Sequence, residues 1–139
     1  MQDRFKFRVW LKDTNKMYNV HSLHIGTNKA IISSRYGNVS IYINKNSILM
    51  QCTGLKDKND KFIYEGDIVQ TTFGDNSKII FYVIWSNENA LFNGKIIKKI
   101  KTNAFCINED YLYYLLANNI DEKTEVIGNI YENPELLKE

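Results

Sequence analysis

Residues 51–69 read QCTGLKDKNDKFIYEGDIV, and residues 126–136 answer them with VIGNIYENPEL. Short apolar groups (Phe62, Ile63, Tyr64, then Ile68, Val69) alternate here with glycine and polar clusters. That is the rhythm of brief strands joined by tight turns. Thr53 and Gly54 predict a bend, residues 56–61 the exposed tip of a hairpin, and Glu65-Gly66-Asp67 a turn in which glycine adopts a backbone geometry that strains other residues. Such a run opens a small β-barrel.

Upstream, residues 4–11 alternate with period two, placing Phe5, Phe7, Val9 and Leu11 on one face and Arg4, Lys6, Arg8 and Trp10 on the other. A half-buried strand is expected. Asp13-Thr14-Asn15-Lys16 is a turn cluster, residues 17–25 read as the returning strand, and Tyr36-Gly37-Asn38 separates two further β-branched segments. The first 50 residues therefore predict an N-terminal antiparallel β unit, and residues 51–139 a barrel-like C-terminal region.

Downstream, residues 79–85 form a strong strand. Asn93-Gly94, between Ala90-Leu91-Phe92 and Lys95-Ile96-Ile97, predicts a further hairpin turn. A short helix is expected over residues 109–119, where Asn108 can cap, Glu109 and Asp110 suit the first turn, and Leu112, Leu115 and Leu116 share a face. Residues 125–131 return to strand, and Asn133-Pro134 starts a terminal turn that winds once through residues 135–137.

Bulk properties bound the partners. The 139 residues suit one domain, with 44% hydrophobic and 24% charged residues, an ordinary globular balance. A formal charge of +2 is too small to draw a polyanion by long-range attraction. No apolar run reaches the roughly 18 residues of a membrane span, and the first residues lack an apolar leader core. Cys52 and Cys106 each sit in an apolar, strand-like setting where a thiol behaves as a small buried hydrophobe. A cytoplasmic protein is expected.

Catalytic and metal constellations are missing from the pattern. His21 and His24, the two histidines, lie in a predicted strand, where a spacing of three points them to opposite faces; no further ligands converge on them, so no metal and no cofactor is expected. Asp57, Asp60, Glu65 and Asp67 depart from calcium-loop spacing and read as turn caps or solvated groups. No serine or cysteine stands at a nucleophile elbow. The reading is a protein that is not an enzyme.

What remains is surface. Lys95, Lys98, Lys99 and Lys101 form one local basic run, and Trp10, Trp85, Tyr113 and Tyr114 supply aromatic faces. Together they make the candidate partner surface. Lysine and aromatics are the ingredients of a nucleic-acid groove, although lysines alternating with Ile96, Ile97 and Ile100 equally suit an edge protected from stray pairing.

The wording of the chain also resembles one family. MQCTGLKDKNDKFIYEGDIV at residues 50–69, VIW at 83–85, EVIGNIYENPELL at 125–137 and FKFRVWLKDTNKMYNV at 5–20 are together similar to the YopX family of bacteriophage and prophage proteins. The likeness is weakest over residues 26–47 and 91–119. Two departures stand out: Asp60 where the family more often has glycine in the hairpin tip, and Cys52 where an aromatic is common. The resemblance implies an SH3-like β-barrel in the C-terminal part, a phage or prophage origin, and no catalytic residues to carry across. The expectation is mainly β, with a non-enzymatic accessory protein that binds a protein partner or another copy of itself. A nucleic-acid-binding module is the alternative.

Overall fold

The computed structural model describes residues 5–73, 76–101 and 123–138. Ten strands make up nearly all of the regular structure: β1 (Phe7–Leu11), β2 (Lys16–His24), β3 (Lys29–Ser34), β4 (Gly37–Tyr42), β5 (Ser47–Lys56), β6 (Phe62–Tyr64), β7 (Asp67–Thr72), β8 (Lys78–Ser86), β9 (Leu91–Ile100) and β10 (Thr124–Asn129). Single 3-10 turns at Ile25–Thr27 and Pro134–Leu137 complete it. The protein is mainly β.

Two antiparallel sheets result, one of six strands in the order β4-β3-β2-β1-β5-β6 and one of four in the order β10-β7-β8-β9. Among the described residues neither sheet closes into a barrel. The meander β7-β8-β9 leaves β9 at one edge and β10 joins at β7 on the other, so no ladder links the two ends. The helix expected over residues 109–119, together with Tyr113, Tyr114 and Cys106, lies outside the described residues.

Strand β5 crosses residue 50 without a break. Its first half pairs with β1, Ser47 opposite Leu11 through Gln51 opposite Phe7, and its second half pairs with β6, Cys52 opposite Tyr64. Gly54 takes φ 84° where the β6 pairing is irregular between Cys52 and Lys56, the bend read from Thr53-Gly54. The apolar core follows the same seam. Ile63 from β6 packs with Val69, Ile79, Phe81, Val83 and Val126 of the smaller sheet, flanked by Phe73, Phe92 and Ile96. Cys52 is free and fully buried, as its apolar setting predicted.

Three local readings need correction. Strand β1 is buried on both faces: Arg8, Val9 and Trp10 are all inside. The supposed solvent face is covered by the Glu65–Asp67 turn and by Tyr131, which supply partners for the polar end of Arg8 and the ring of Trp10. Asn93-Gly94 is not a turn. Strand β9 runs straight through it, Gly94 opposite Val83 and Asn93 opposite Ile84. The chain reverses instead over residues 87–90, with Ala90 at φ 52°, because β8 is nine residues long and its whole length is paired only if the reversal comes after Ser86. Finally, Asp57 at the 56–61 tip is buried rather than solvated.

Candidate functional site

The sheets meet at Arg8. From the middle of β1 its side chain ion-pairs with Asp67 at 2.6 Å, donates to the Glu65 carbonyl at 3.0 Å, and lies 4.8 Å over the Tyr64 ring. The second oxygen of Asp67 accepts the Tyr64 N–H at 2.8 Å, so this carboxylate serves both sheets. Burial pushes the Asp67 carboxyl above the usual carboxylate range, with the Arg8 charge and the Tyr64 hydrogen bond pulling the other way. Burial likewise raises Glu65, and it raises the Tyr131 hydroxyl with a further push from Glu65. Beside this group Trp10 stacks on Tyr131 at a centroid separation of 5.9 Å.

Gly66 is the joint beneath. Its N–H donates to the Val83 carbonyl, its own carbonyl accepts from Ile130, and φ is 80°. A β-carbon there would sit 3.4 Å from both Met50 and Tyr131. The backbone angle is what favours glycine here.

Asp57 repeats the Asp67 device on the other sheet edge. One oxygen accepts from Asn59 and Lys61 at 2.8 and 3.0 Å, and the other accepts the Val126 N–H of β10 at 2.9 Å. Burial acts to raise its carboxyl, but those three amide donors and the Lys61 charge outweigh it and hold the group below its ordinary value. Next to it the Lys58 N–H donates to the Thr124 carbonyl. The hairpin tip is thereby pinned onto β10. Asp60 does take the left-handed conformation, φ 64°, that glycine would fill at less cost.

The 126–136 run folds for reasons written in its own side chains. Asn129 Oδ1 accepts from the N–H groups of Tyr131 and Glu132, while Asn133 Oδ1 accepts the Asn129 N–H. Pro134 then starts the 3-10 turn. A β-carbon on Gly128 would fall 2.6 Å from Asn133 Oδ1 and 3.0 Å from Leu136. This glycine makes room for the turn to fold back on β10.

Between the sheets lies an open cleft of about 500 Å³, whose lining includes Arg8, Lys61, Tyr64, Asp67, Asn129 and Glu132. Of its charged groups Arg8 and Asp67 pair with each other, and Glu132 accepts from Asn129. Among the described residues Arg8 Nε is the one buried side-chain nitrogen or oxygen without a hydrogen-bond partner, and no cluster of three or more His, Cys, Asp or Glu gathers as a metal group. No helix there is long and apolar enough to cross a membrane.

The residues picked out as a partner surface are dispersed. Trp10 is in the interior. Lys95, Lys98 and Lys99 are exposed on the edge strand β9, and Lys101 follows it with φ 51°. Lys95 stands opposite Tyr82 and Lys98 opposite Ile80, on one face; Lys99 stands opposite the buried Ile79, on the other, because the ladder slips between Ile80 and Phe81 and leaves Ile97 unpaired. Trp85 is exposed at the far end of β8, edge-on to Phe92 at 5.0 Å. It shares the face of Phe81 and Val83, not that of Tyr82.

A different surface went unnoticed in the sequence. At the β4 end of the six-stranded sheet Ile25 is 81% exposed, Tyr36 82%, Tyr42 63% and Val39 44%. Lys29 lies over the Tyr42 ring and Arg35 over Tyr36. The β3-β4 hairpin thus carries three of the larger exposed apolar side chains, Tyr36, Val39 and Tyr42, within the stretch where the family wording is weakest.

The comparisons with known proteins agree with this geometry. The pattern of the family described as YopX protein matches residues 6–138, nearly the whole chain. This chain belongs to the YopX family. Among solved structures, this YopX protein is similar to protein EF1440 from Enterococcus faecalis, with 26% sequence identity and a TM-score of 0.53 over 96% of this chain and 97% of that one. No curated protein matched. The residues that carry the family wording in YopX coincide with the joint just described: Arg8, Trp10, Asp57, Gly66, Asp67, Gly128, Asn129 and Asn133.

Proposed function

We propose that this YopX protein is a non-enzymatic phage or prophage accessory protein of the bacterial cytoplasm, a β module that binds a protein partner or another copy of itself. The observation carrying this reading is the exposed apolar end around Ile25, Tyr36, Val39 and Tyr42. Large apolar side chains left in solvent beside cations mark an interaction surface more often than a catalytic one. The cleft supports the same reading from the other side, since its Arg8 and Asp67 are engaged in holding strands together.

In this view residues 1–50 and 51–139 are two units sharing strand β5, the second a partly open SH3-like barrel built on the β7-β8-β9 meander with β10 alongside β7, and a short helix over residues 109–119. Light scattering of the purified protein, paired with pull-down from lysate of an infected host, tests the reading. Either an assembled mass or a captured protein partner is the expected result. A strictly monomeric protein that captures nothing contradicts it.

A second reading, nucleic-acid contact, is favoured by the shared face of Lys95, Lys98 and Tyr82 on the β9 edge. Titration with single-stranded and duplex DNA and RNA at low salt would show binding that weakens steeply as salt rises. No binding removes this reading.

A further inference from the structure

We propose that β4 pairs edge to edge with β4 of a second copy of this chain, making a continuous antiparallel sheet across a two-fold axis at Ser40; this rests on the self-association reading above and names its surface. The reasoning begins with how each sheet end is finished. An unpaired strand edge offers its N–H and C=O groups to any passing strand, and proteins normally blunt it with charge, bulges, brevity or a covering segment. Three of the four ends here are blunted. At β10 the Val126 N–H is taken by Asp57, the Thr124 carbonyl by Lys58 and the Asn129 N–H by Asn133. At β6 the strand has three residues and Asp67 takes the Tyr64 N–H. At β9 exposed lysines and the slip at Ile97 guard the edge.

Among the described residues strand β4 has one such contact, from Ser47 Oγ to the Tyr42 carbonyl, and no charge, bulge or covering of its outward N–H groups. Its sequence, Gly37-Asn38-Val39-Ser40-Ile41-Tyr42, holds no charge and no proline, and its register with β3 runs unbroken from Lys29 opposite Tyr42 to Ser34 opposite Gly37. The Ile43 N–H donates to the Asn28 carbonyl at 2.7 Å, which sets the phase of the ladder. By the alternation of antiparallel pairs, Ile41 and Val39 then bond to β3, and the backbone groups of Asn38, Ser40 and Tyr42 point outward. The Tyr42 carbonyl also accepts from Ser47 Oγ at 3.2 Å, which leaves it a second lone pair.

That outward row is self-complementary. With Ser40 opposite its own copy, Asn38 exchanges hydrogen bonds with Tyr42 of the second copy, and Val39 meets Ile41 of the second copy across the seam. Val39 and Ile41 stand opposite the buried Ile32 and Ala30 of β3. Their apolar row, which now ends in solvent at Val39, would continue into the neighbour. Such a contact is isologous and closes after two copies. A second copy fits better than a charged partner because the strand carries no side-chain charge to recognise one, and two identical neutral edges meet without repulsion.

Sedimentation velocity on the full chain, at loading concentrations up to about 100 μM so that micromolar association is seen, tests this with two variants and a control. Wild type should run at twice the 16.3 kDa chain mass. Ser40→Lys, which sets two ammonium groups face to face, and Ser40→Pro, which removes an outward N–H while sparing the bonds to β3, should both run as monomers with unchanged circular dichroism. Lys98→Ala on the β9 edge of the smaller sheet should remain dimeric. A wild-type monomer at the top concentration overturns the proposal, and pull-down then decides the broader protein-binding reading alone. A dimer that survives both Ser40 variants overturns the β4 contact while leaving self-association standing.

Discussion

Asp57 and Asp67 are short side chains performing the work of missing strand neighbours. Asp57 accepts three backbone N–H groups and Asp67 one, and in each case the carboxylate reaches a second element as well. Removing the Asp57 carboxylate strands three amide donors, two in its own turn and one on β10. Asp57→Ala should therefore cost about 3 kcal/mol in urea unfolding, the scale for charge-assisted bonds plus newly unsatisfied donors. The pH dependence has a definite sign. Because the folded state holds this carboxyl below its ordinary value of 3.8, its contribution is complete above that value and is lost as pH falls through the lower, folded one. The stability gap between wild type and Asp57→Ala should hold from pH 7 to about 5 and narrow in stronger acid; a gap that widens in acid would be inconsistent with the amide-bonded carboxylate. From sequence, turn capping was legible in these aspartates. The reach of Asp57 to Val126, 69 positions away, was not, because capping patterns speak only of neighbours in the chain.

Elements were legible where their own residues decide them. The β1-β2 turn at Asp13-Thr14-Asn15-Lys16, the hairpin ending at Phe62 and the proline-led final turn all fall where turn chemistry puts them. They fail to be legible where a neighbour decides. Asn93-Gly94 has the composition of a hairpin turn, yet pairing along the full length of β8 outweighs that local preference. Arg8 and Trp10 look solvated by alternation, and only the folding of residues 65–67 and 131 over β1 buries them. The C-terminal turn offers a clean test at this scale. Gly128→Ala places a methyl group 2.6 Å from Asn133 Oδ1, so the capped turn must shift, at about 2–3 kcal/mol by the usual cost of overpacking. Gly26→Ala is the matched control: nothing lies within 4 Å of its β-carbon, and its effect should stay within about 0.5 kcal/mol. Equal effects in thermal unfolding would mean that the close approach at Gly128 is not what requires glycine.

At the scale of the whole molecule, two open sheets share one core and one buried ion pair. Breaking that pair from one side should be far worse than removing it. Asp67→Ala leaves the Arg8 guanidinium buried without its counter-charge, a loss of about 3–5 kcal/mol, whereas Arg8→Met with Asp67→Leu should recover much of it. Denaturant unfolding of wild type and these two variants measures this directly; an Asp67→Ala protein no less stable than the double variant would show that the pair does not hold the sheets. The family wording thus records how the sheets are fastened, and the proposed binding surface lies elsewhere, at the β4 end. Amide hydrogen exchange at Ser40, followed as protein concentration is raised, reads that surface most directly. Pairing of β4 with a second copy predicts that exchange at Asn38, Ser40 and Tyr42 slows together as concentration rises, while Ser40→Lys abolishes the slowing at its neighbours. Fast exchange at all three positions, independent of concentration, would contradict it.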